Sequence, residues 1–337
     1  MKYVHYSNRF LLALSVLIIF LVSLAFILID WEIFLHSPLI PPKTHIDYIL
    51  PSGASVRVLS DDLYQLGFLS HPRFFILLAY MKNYANHLHA GEYRFEEGTT
   101  PLELLKQIYE GRVLWRDMTF VEGTTYEQII NTVEGNPLIE HKLAGLPPLL
   151  VLMDLHIPHA YPEGLFFPDT YKYTAGMSDR TILLQAYQLM QKNLDQEWKN
   201  RAKNAPYSDS YHALIAASII EKEAQVDSDR PIIAGVIMRR LKKGMPLQMD
   251  PTVIYAMGSD YKPPLRGADL KTQSPYNTYL HQGLPPTPIC MPGLPSIHAA
   301  LHPTPGDVLF FFARGDGTHE FSATYAGQQA AIAKYEH

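Results

Sequence analysis

A glutamate at the end of an apolar helical pattern has the clearest chemical potential in this sequence. Glu221 closes the run ALIAASIIE (213–221), and its neighbours at helical spacing are mostly small, such as Ala217. A carboxyl group beside apolar side chains is poorly hydrated, which favours its protonated form. A protonated carboxyl can act as a general acid on a glycosidic oxygen. The competing interpretation is a surface glutamate in a salt bridge with Lys222 or Arg230.

A second glutamate follows closely, but it cannot assist the first directly. Glu223 is two residues beyond Glu221, which places the two side chains about 200° apart around a helix axis. They therefore cannot form the facing carboxylate pair of an ordinary glycosidase. A second carboxylate would have to come from elsewhere, such as Glu163 or Asp250. If none does, the chemistry depends on one acid/base residue.

Two other clusters carry chemically useful side chains. His298 and His302 have the i, i+4 spacing of zinc ligands, but Ala299 stands where such motifs have glutamate. We predict no metal site there, and no cofactor, because phosphate loops, nucleophile elbows and dinucleotide motifs are missing from the sequence. The stretch Tyr276-Asn277-Thr278-Tyr279 combines aromatic and hydrogen-bonding groups, which suits a sugar-binding wall or an ordinary turn with buried tyrosines.

The composition narrows the classes of partner. The 337 residues carry a formal net charge of −5, which gives no electrostatic reason to expect nucleic acid. The single cysteine, Cys290, excludes an internal disulfide and a cysteine-built zinc site. The 26 prolines and 21 tyrosines suggest long ordered loops and aromatic surfaces of the kind on which sugars stack.

An apolar run near the N-terminus predicts a membrane anchor. Residues 10–29 are uncharged and would span about 30 Å as a helix. Lys2 and Arg9 precede the run and Asp30 and Glu32 follow it, so we expect a cytoplasmic N-terminus and a single-pass protein of the inner membrane whose remainder lies outside the cytoplasm. The alternative is a cleaved signal peptide, since a Ser-Leu-Ala sequence lies within the run.

Composition shifts divide the rest of the chain. We predict a cytoplasmic N-terminus (1–9), an apolar helix (10–29) and a linker (30–45) whose proline-rich part is 37–45. A small α/β module (46–114) and a larger α+β domain (115–337) follow.

Local patterns predict the elements of these two domains. Thr100 with Glu103, and Thr125 with Gln128, have capping-box spacing, so each threonine is expected to open a helix rather than bind a ligand. Other patterns predict a strand (91–95) and three helices (213–224, 229–243 and 250–258). They also predict a proline-rich ordered loop (283–305), a hairpin (308–313 with 320–323) and a last helix (325–335).

Several blocks, in order and spacing, resemble the MltG/YceG-like family of membrane-anchored endolytic murein transglycosylases. The matching blocks are EGLFFPDTY, ASIIEKEA, LQMDPTVIY, SPYNTY, GLPP, PG and AALHP: 163–171, 217–224, 247–255, 274–279, 283–286, 292–293 and 299–303. The resemblance implies a LysM-like N-terminal module and cleavage of the MurNAc-β-1,4-GlcNAc bond of nascent peptidoglycan without water. It also implies glycan strands as substrate and peptidoglycan synthases as partners.

The resemblance further implies roles for individual residues. Glu221 would protonate the leaving oxygen and then take the proton of the C6 hydroxyl, leaving a 1,6-anhydro-MurNAc end. Substrate-binding roles fall on five residues of the matching blocks: Gln248, Asp250, Tyr276, Asn277 and Glu163. Two alternatives remain open, namely a hydrolytic muramidase with a second carboxylate near Glu221 and a non-catalytic peptidoglycan-binding scaffold.

Overall fold

A computed structural model describes residues 2–39 and 45–335, with side chains from residue 10 onward. The chain forms two compact units, the first up to Arg116 together with Thr174–Met177 and the second comprising Asp117–Tyr173 and the remainder. Residues 40–44 of the linker predicted at 30–45 lie outside the described residues, and residues 30–36 of it continue the first helix. Both units mix helices with short strands, as expected for an α+β protein.

The first unit contains one long helix and a small α/β module. Its elements are α1 (Lys2–His36), β1 (Ile46–Leu50), α2 (Val56–Gln65), α3 (Pro72–Met81), β2 (Gly91–Phe95) and α4 (Pro101–Tyr109). The predicted strand at 91–95 is confirmed as β2, which pairs antiparallel with β1. Its aromatic residues Tyr93 and Phe95 are fully buried in the module core, together with Leu59, Phe75 and Leu104.

Helix starts follow the predicted capping chemistry. Thr100 Oγ1 accepts a hydrogen bond from the Glu103 N–H at 3.3 Å, and Glu103 Oε2 accepts one from the Thr100 N–H at 2.9 Å. The same reciprocal pair joins Thr125 and Gln128 in the second unit. Both predicted capping boxes are therefore confirmed, because they depend only on side chains three residues apart.

Helix α1 is long and apolar enough to cross a membrane. Its residues from 10 to 28 are all exposed, and the candidate span runs from Phe10 to His36. Length and composition alone fit a membrane anchor and an N-terminal signal sequence equally.

The second unit is built from helices and two strand pairs. Its elements are β3 (Arg116–Thr119), α5 (Tyr126–Glu134), α6 (Pro148–Asp154), β4 (Thr170–Tyr173), α7 (Asp179–Lys199), α8 (Ser210–Glu223), α9 (Arg230–Lys242), α10 (Asp250–Met257), α11 (Leu294–Leu301), β5 (Phe310–Ala313), β6 (His319–Ser322) and α12 (Tyr325–Tyr335). β3 pairs with β4, and β5 forms an antiparallel hairpin with β6. The predicted hairpin and the helices now labelled α8, α9, α10 and α12 are confirmed to within a few residues.

The prediction of a continuous loop over 283–305 was wrong, because this stretch contains α11. Pro295 lies in the first turn of that helix, where the missing N–H of proline has no helical acceptor to lose. The buried residues Ile297, Ala300 and Leu301 then supply the stripe that packs on α8 and α9. A proline-rich composition therefore does not distinguish a loop from the first turn of a helix.

Helix α8 is the centre of the second unit. Every residue from Ala213 to Ile220 is buried, and α7, α9, α10 and α11 pack around it. The small side chains predicted there allow close approach, since Ser218 Oγ accepts the Ile289 N–H at 3.0 Å and Cys290 Sγ donates to the Ser218 carbonyl at 3.3 Å. The last turn of α8 carries Glu221 and Glu223, which follow directly on this buried stretch.

Candidate active site

The first of these glutamates is held in a buried ion pair. Glu221 Oε1 lies 3.2 Å from Arg230 Nη1, and Glu221 Oε2 accepts the Gly293 N–H at 2.9 Å. The Glu221 side chain is only 6% exposed. Arg230 also donates to Asp227 and to the buried Ser296 hydroxyl. The salt bridge with Arg230 considered from the sequence is thus present, although it is buried rather than on the surface.

A further carboxyl group faces this ion pair. Loss of hydration and the charge of Glu221 raise the pKa of Glu122. Glu122 packs over Gly293 so closely that a Cβ at that position would overlap the Glu122 carboxylate. Nothing in the sequence placed Glu122 here, because its segment predicts only the start of α5.

The second glutamate of α8 has a different environment. Burial raises the pKa of Glu223 to about 8, and the negative charge of Asp250 acts in the same direction. Tyr279 Oη donates a hydrogen bond to Asp250 Oδ1 at 2.5 Å, and burial together with this bond raises the pKa of Tyr279. The raised pKa favours the protonated form of Glu223 at neutral pH. A carboxyl group whose surroundings raise its pKa in this way is typical of acid/base sites.

The loop before Asp250 has an unusual backbone. Gln248 adopts a φ of +53°, which is uncommon for residues other than glycine and recurs at functional sites. Its N–H donates to the Thr278 carbonyl at 3.0 Å, and its side-chain oxygen accepts from Arg240 Nη1 at 3.2 Å. These bonds fix the exposed Gln248 directly before the start of α10.

A cavity of about 1120 Å³ opens within the second unit, between the ends of α5, α6, α8 and α10. Four tyrosines line it: Tyr126, Tyr161, Tyr255 and Tyr276. Lys222 and Pro251, which are the sequence neighbours of Glu223 and Asp250, belong to the same lining. A mostly aromatic and apolar cavity with a few polar groups is the usual form of a ligand site, and tyrosine faces suit sugar rings.

Glu163 is the carboxyl group in the wall of this cavity. Its Oε1 accepts the Tyr126 N–H at 2.9 Å and its Oε2 accepts the Tyr255 hydroxyl at 3.1 Å. Burial raises the pKa of Glu163 to about 7, although these hydrogen bonds act in the opposite direction. Near neutral pH, Glu163 is therefore present in both protonation states.

The predicted sugar-binding wall is divided between different roles. Tyr276 lines the cavity and its hydroxyl lies 2.8 Å from Thr287 Oγ1. Asn277 is fully buried, where its Nδ2 donates to the carbonyls of Leu270 and Thr272 and its Oδ1 accepts the Tyr279 N–H. These contacts favour a role for Asn277 in holding the loop rather than in touching a ligand.

His298, in α11, and His302, directly after that helix, meet a carboxylate from a distant part of the chain. Glu197, on α7, lies 2.8 Å from His298 Nδ1, and the three side chains bring potential ligand atoms within 4.8 Å of one another. Both ring nitrogens of His302, however, face backbone oxygens, those of His298 and Asn200. In this arrangement His302 joins the end of α11 to the end of α7.

Gly164, directly after Glu163, has a backbone conformation and a close contact with Pro288 that only glycine accommodates without strain. Its φ is +80°, and a Cβ would lie 2.5 Å from the ring of Pro288. We expect Gly164→Ala to lower the free energy of unfolding by about 2–4 kcal/mol, because it adds left-handed strain to a steric clash. Urea unfolding measures this, with Gly145→Ala as control, since Gly145 has a similar φ of +71° and open space around it. An equal loss in both variants would show that the contact with Pro288 contributes nothing.

Comparison with known proteins decides the family. Residues 48–334 match the model of the YceG-like family. The chain belongs to this family. An endolytic murein transglycosylase of Bacillus subtilis is 30% identical over 311 residues, and the match covers 87% of this chain and 85% of that protein. An endolytic murein transglycosylase of Streptococcus pneumoniae is 28% identical over 80% of this chain and 54% of its own length.

A solved structure has the same architecture. The crystal structure of a yceG-like protein from Listeria monocytogenes superposes with a TM-score of 0.53 at 28% sequence identity. The match covers 86% of this chain and 99% of the Listeria chain.

Proposed function

We propose that this YceG-like protein is a peptidoglycan lytic transglycosylase. It cleaves the MurNAc-β-1,4-GlcNAc bond within glycan strands without water, leaves 1,6-anhydro-MurNAc ends and so terminates strand elongation. The names of its relatives support the substrate class. The observation that carries the chemistry is the raised pKa of Glu223, about 8, near the charge of Asp250. Their sequence neighbours Lys222 and Pro251 line the tyrosine-rich cavity.

The proton donor in this proposal is Glu223 rather than Glu221. A general acid needs a proton at working pH, and the environment of Glu223 retains one. Glu221 instead uses one oxygen in the ion pair with Arg230 and the other on the Gly293 N–H. We assign Glu221 to the packing of α8 against α9 and the start of α11.

The reaction then needs one residue in two successive roles. The Glu223 carboxyl gives its proton to the glycosidic oxygen, so that the bond from MurNAc C1 to that oxygen breaks and GlcNAc leaves with a free 4-hydroxyl. The C6 hydroxyl oxygen of the same MurNAc forms a bond to C1, and its proton returns to the Glu223 carboxylate. The negative charge of Asp250 stabilises the positive charge that develops near C1. Atoms balance without water, and the enzyme regains its starting state.

The cavity residues bind the strand in this proposal. Tyr276 and Tyr255 offer ring faces to the sugars, and Glu163 offers hydrogen bonds. The exposed Gln248, which is not part of the cavity lining, offers a further hydrogen bond to the strand. Asp250 lies at the reacting bond beside Glu223.

One observation favours a second candidate function. A hydrolytic muramidase needs a second carboxylate to activate water, and Asp250 lies near enough to Glu223 for its charge to raise the pKa of that group. The two functions differ by one molecule of water in the product. A non-catalytic scaffold would release neither product.

Mass spectrometry of digested glycan strands tests the proposal. We expect fragments that end in anhydro-MurNAc and are lighter by one water than the hydrolysed fragments. Fragments with reducing MurNAc ends would refute the transglycosylase and support the muramidase. Strands that stay intact at every pH would support the non-catalytic scaffold. A Glu223→Gln sample, treated identically, serves as the blank.

The location of the enzyme follows from α1 in the same proposal. Helix α1 anchors the protein in the inner membrane, with the N-terminus in the cytoplasm and both units outside it. The length of the apolar run and the charges that flank it support this orientation. The module of 46–114 is LysM-like and binds glycan, whereas 115–337 is the catalytic domain. Peptidoglycan synthases that supply new strands are the expected protein partners.

A further inference from the structure

We propose that the first unit rests in the lipid headgroup layer of the bilayer that α1 spans. The contact surface is the α2–α3 corner, defined here as Tyr64–His71. This inference rests on the membrane anchorage proposed above and adds a second attachment to it. The observation that carries it is the continuity of α1 with the core of the module.

Helix α1 does not end where its apolar run ends. It continues to His36, and its last turns enter the module core, where Phe34 is only 4% exposed. The rings of Trp31 and Phe34 lie 5.4 and 5.7 Å from that of Phe74, near the start of α3. Asp30, the first charged residue after the run, lies 3.6 Å from His71 Nε2. The module is thus packed on the helix and not suspended on a linker.

This packing fixes the distance of the corner from the bilayer. The uncharged run ends at Ile29, so Asp30 marks the boundary of the hydrocarbon region. At 1.5 Å per residue, Phe34 lies about 6 Å beyond Asp30 along the helix, while the headgroup layer is about 5–7 Å thick on each side. Residues that contact α1 between Asp30 and Phe34 therefore lie within the headgroup layer. His71 is one of them.

The corner has the surface chemistry that this layer selects. Tyr64 and Leu66 are 55% and 54% exposed and stand on either side of Gln65. A groove of about 670 Å³ runs between the corner and α1 and mixes apolar with polar groups, among them Asp30, Ile33, Tyr64, Phe68 and His71. Tyrosine is enriched at membrane interfaces, where its ring contacts acyl chains and its hydroxyl contacts headgroups.

The charges near the corner are compatible with this position. Asp30 has a neighbouring partner in His71, so the boundary does not carry an isolated carboxylate. Arg73, exposed in the first turn of α3, is available to a lipid phosphate. A lipid surface fits this mixture of aromatic, aliphatic and basic groups.

Depth measurement by spin labelling tests the inference on the full chain in vesicles of phosphatidylethanolamine and phosphatidylglycerol. The background is Cys290→Ala, and one label is attached at a time to Gln65→Cys, Glu97→Cys or Ile18→Cys. Relative accessibility to oxygen and to a water-soluble nickel complex reports depth. We expect the label at Gln65 within about 7 Å of the hydrocarbon boundary and the label at Glu97 in water.

The control positions separate the possible failures. Glu97 is exposed on the turn before Thr99. The Thr99 carbonyl accepts the N–H of Leu39, which lies beyond the end of α1. Glu97 therefore lies further from the bilayer than Gln65. If Ile18 is in hydrocarbon while Gln65 is as accessible to nickel as Glu97, the headgroup contact is refuted and the anchor stands. If Ile18 is also in water, the anchor itself is refuted. Spin–spin broadening at Gln65 would overturn the inference in favour of a second copy of the chain.

Discussion

Glu223→Gln is expected to reduce strand cleavage by about 10²–10⁴-fold, the usual contribution of a general acid/base. Glutamine keeps the size of the side chain but has no proton to give to the glycosidic oxygen. Because the pKa of Glu223 is raised to about 8, wild-type activity should fall as pH rises through 8 and the carboxyl loses its proton. Release of anhydro-MurNAc fragments from purified strands, measured between about pH 5 and pH 10, gives the loss of activity in the variant and the pH dependence of the wild type.

The matched control is Glu221→Gln, which changes the other glutamate of the same helical turn. We expect this variant, at temperatures where it is folded, to keep most of the activity and the fall near pH 8. The reverse result would contradict the assignment. If Glu221→Gln loses cleavage without losing stability, and Glu223→Gln retains it, Glu221 is the acid, as the sequence suggested.

Glu221→Gln should have its large effect on stability. Removing one partner of a buried ion pair leaves the other charge poorly compensated, and we expect the free energy of unfolding to fall by about 3 kcal/mol. The Glu221–Arg230 pair qualifies because both side chains are at most 10% exposed. Arg230 keeps its bonds to Asp227 and Ser296, which limits the loss. Urea unfolding near neutral pH measures the change.

A double-mutant cycle isolates the pair from other effects of the substitution. Arg230→Gln alone should also destabilise, whereas Glu221→Gln with Arg230→Gln should cost clearly less than the sum of the single changes. Glu127→Gln, on the exposed side of α5, controls for loss of charge and should leave stability nearly unchanged. Additive effects in the cycle would show that the ion pair contributes no coupling energy.

Features that depend on neighbours along the chain could be predicted from the sequence. The capping boxes at Thr100 and Thr125, the strand at 91–95 and the last helix all formed as expected. Each depends on side chains within a few residues or on the period of apolar positions. The apolar run of α1 and the small-residue surface of α8 belong to this class as well, because residue type and spacing alone define them.

The tertiary structure alone determined the surroundings of the two glutamates at the end of α8. Glu221 and Glu223 lie in the same helical turn, and the sequence favoured Glu221. In the folded chain Glu221 contacts Arg230 and Gly293, whereas burial and the charge of Asp250 raise the pKa of Glu223. Likewise, the sequence could not show that Glu122 faces Glu221 or that Asn277 is buried beneath its loop. Protonation depends on dehydration and on charges within a few ångströms, and both are set by residues that only the folded chain brings together.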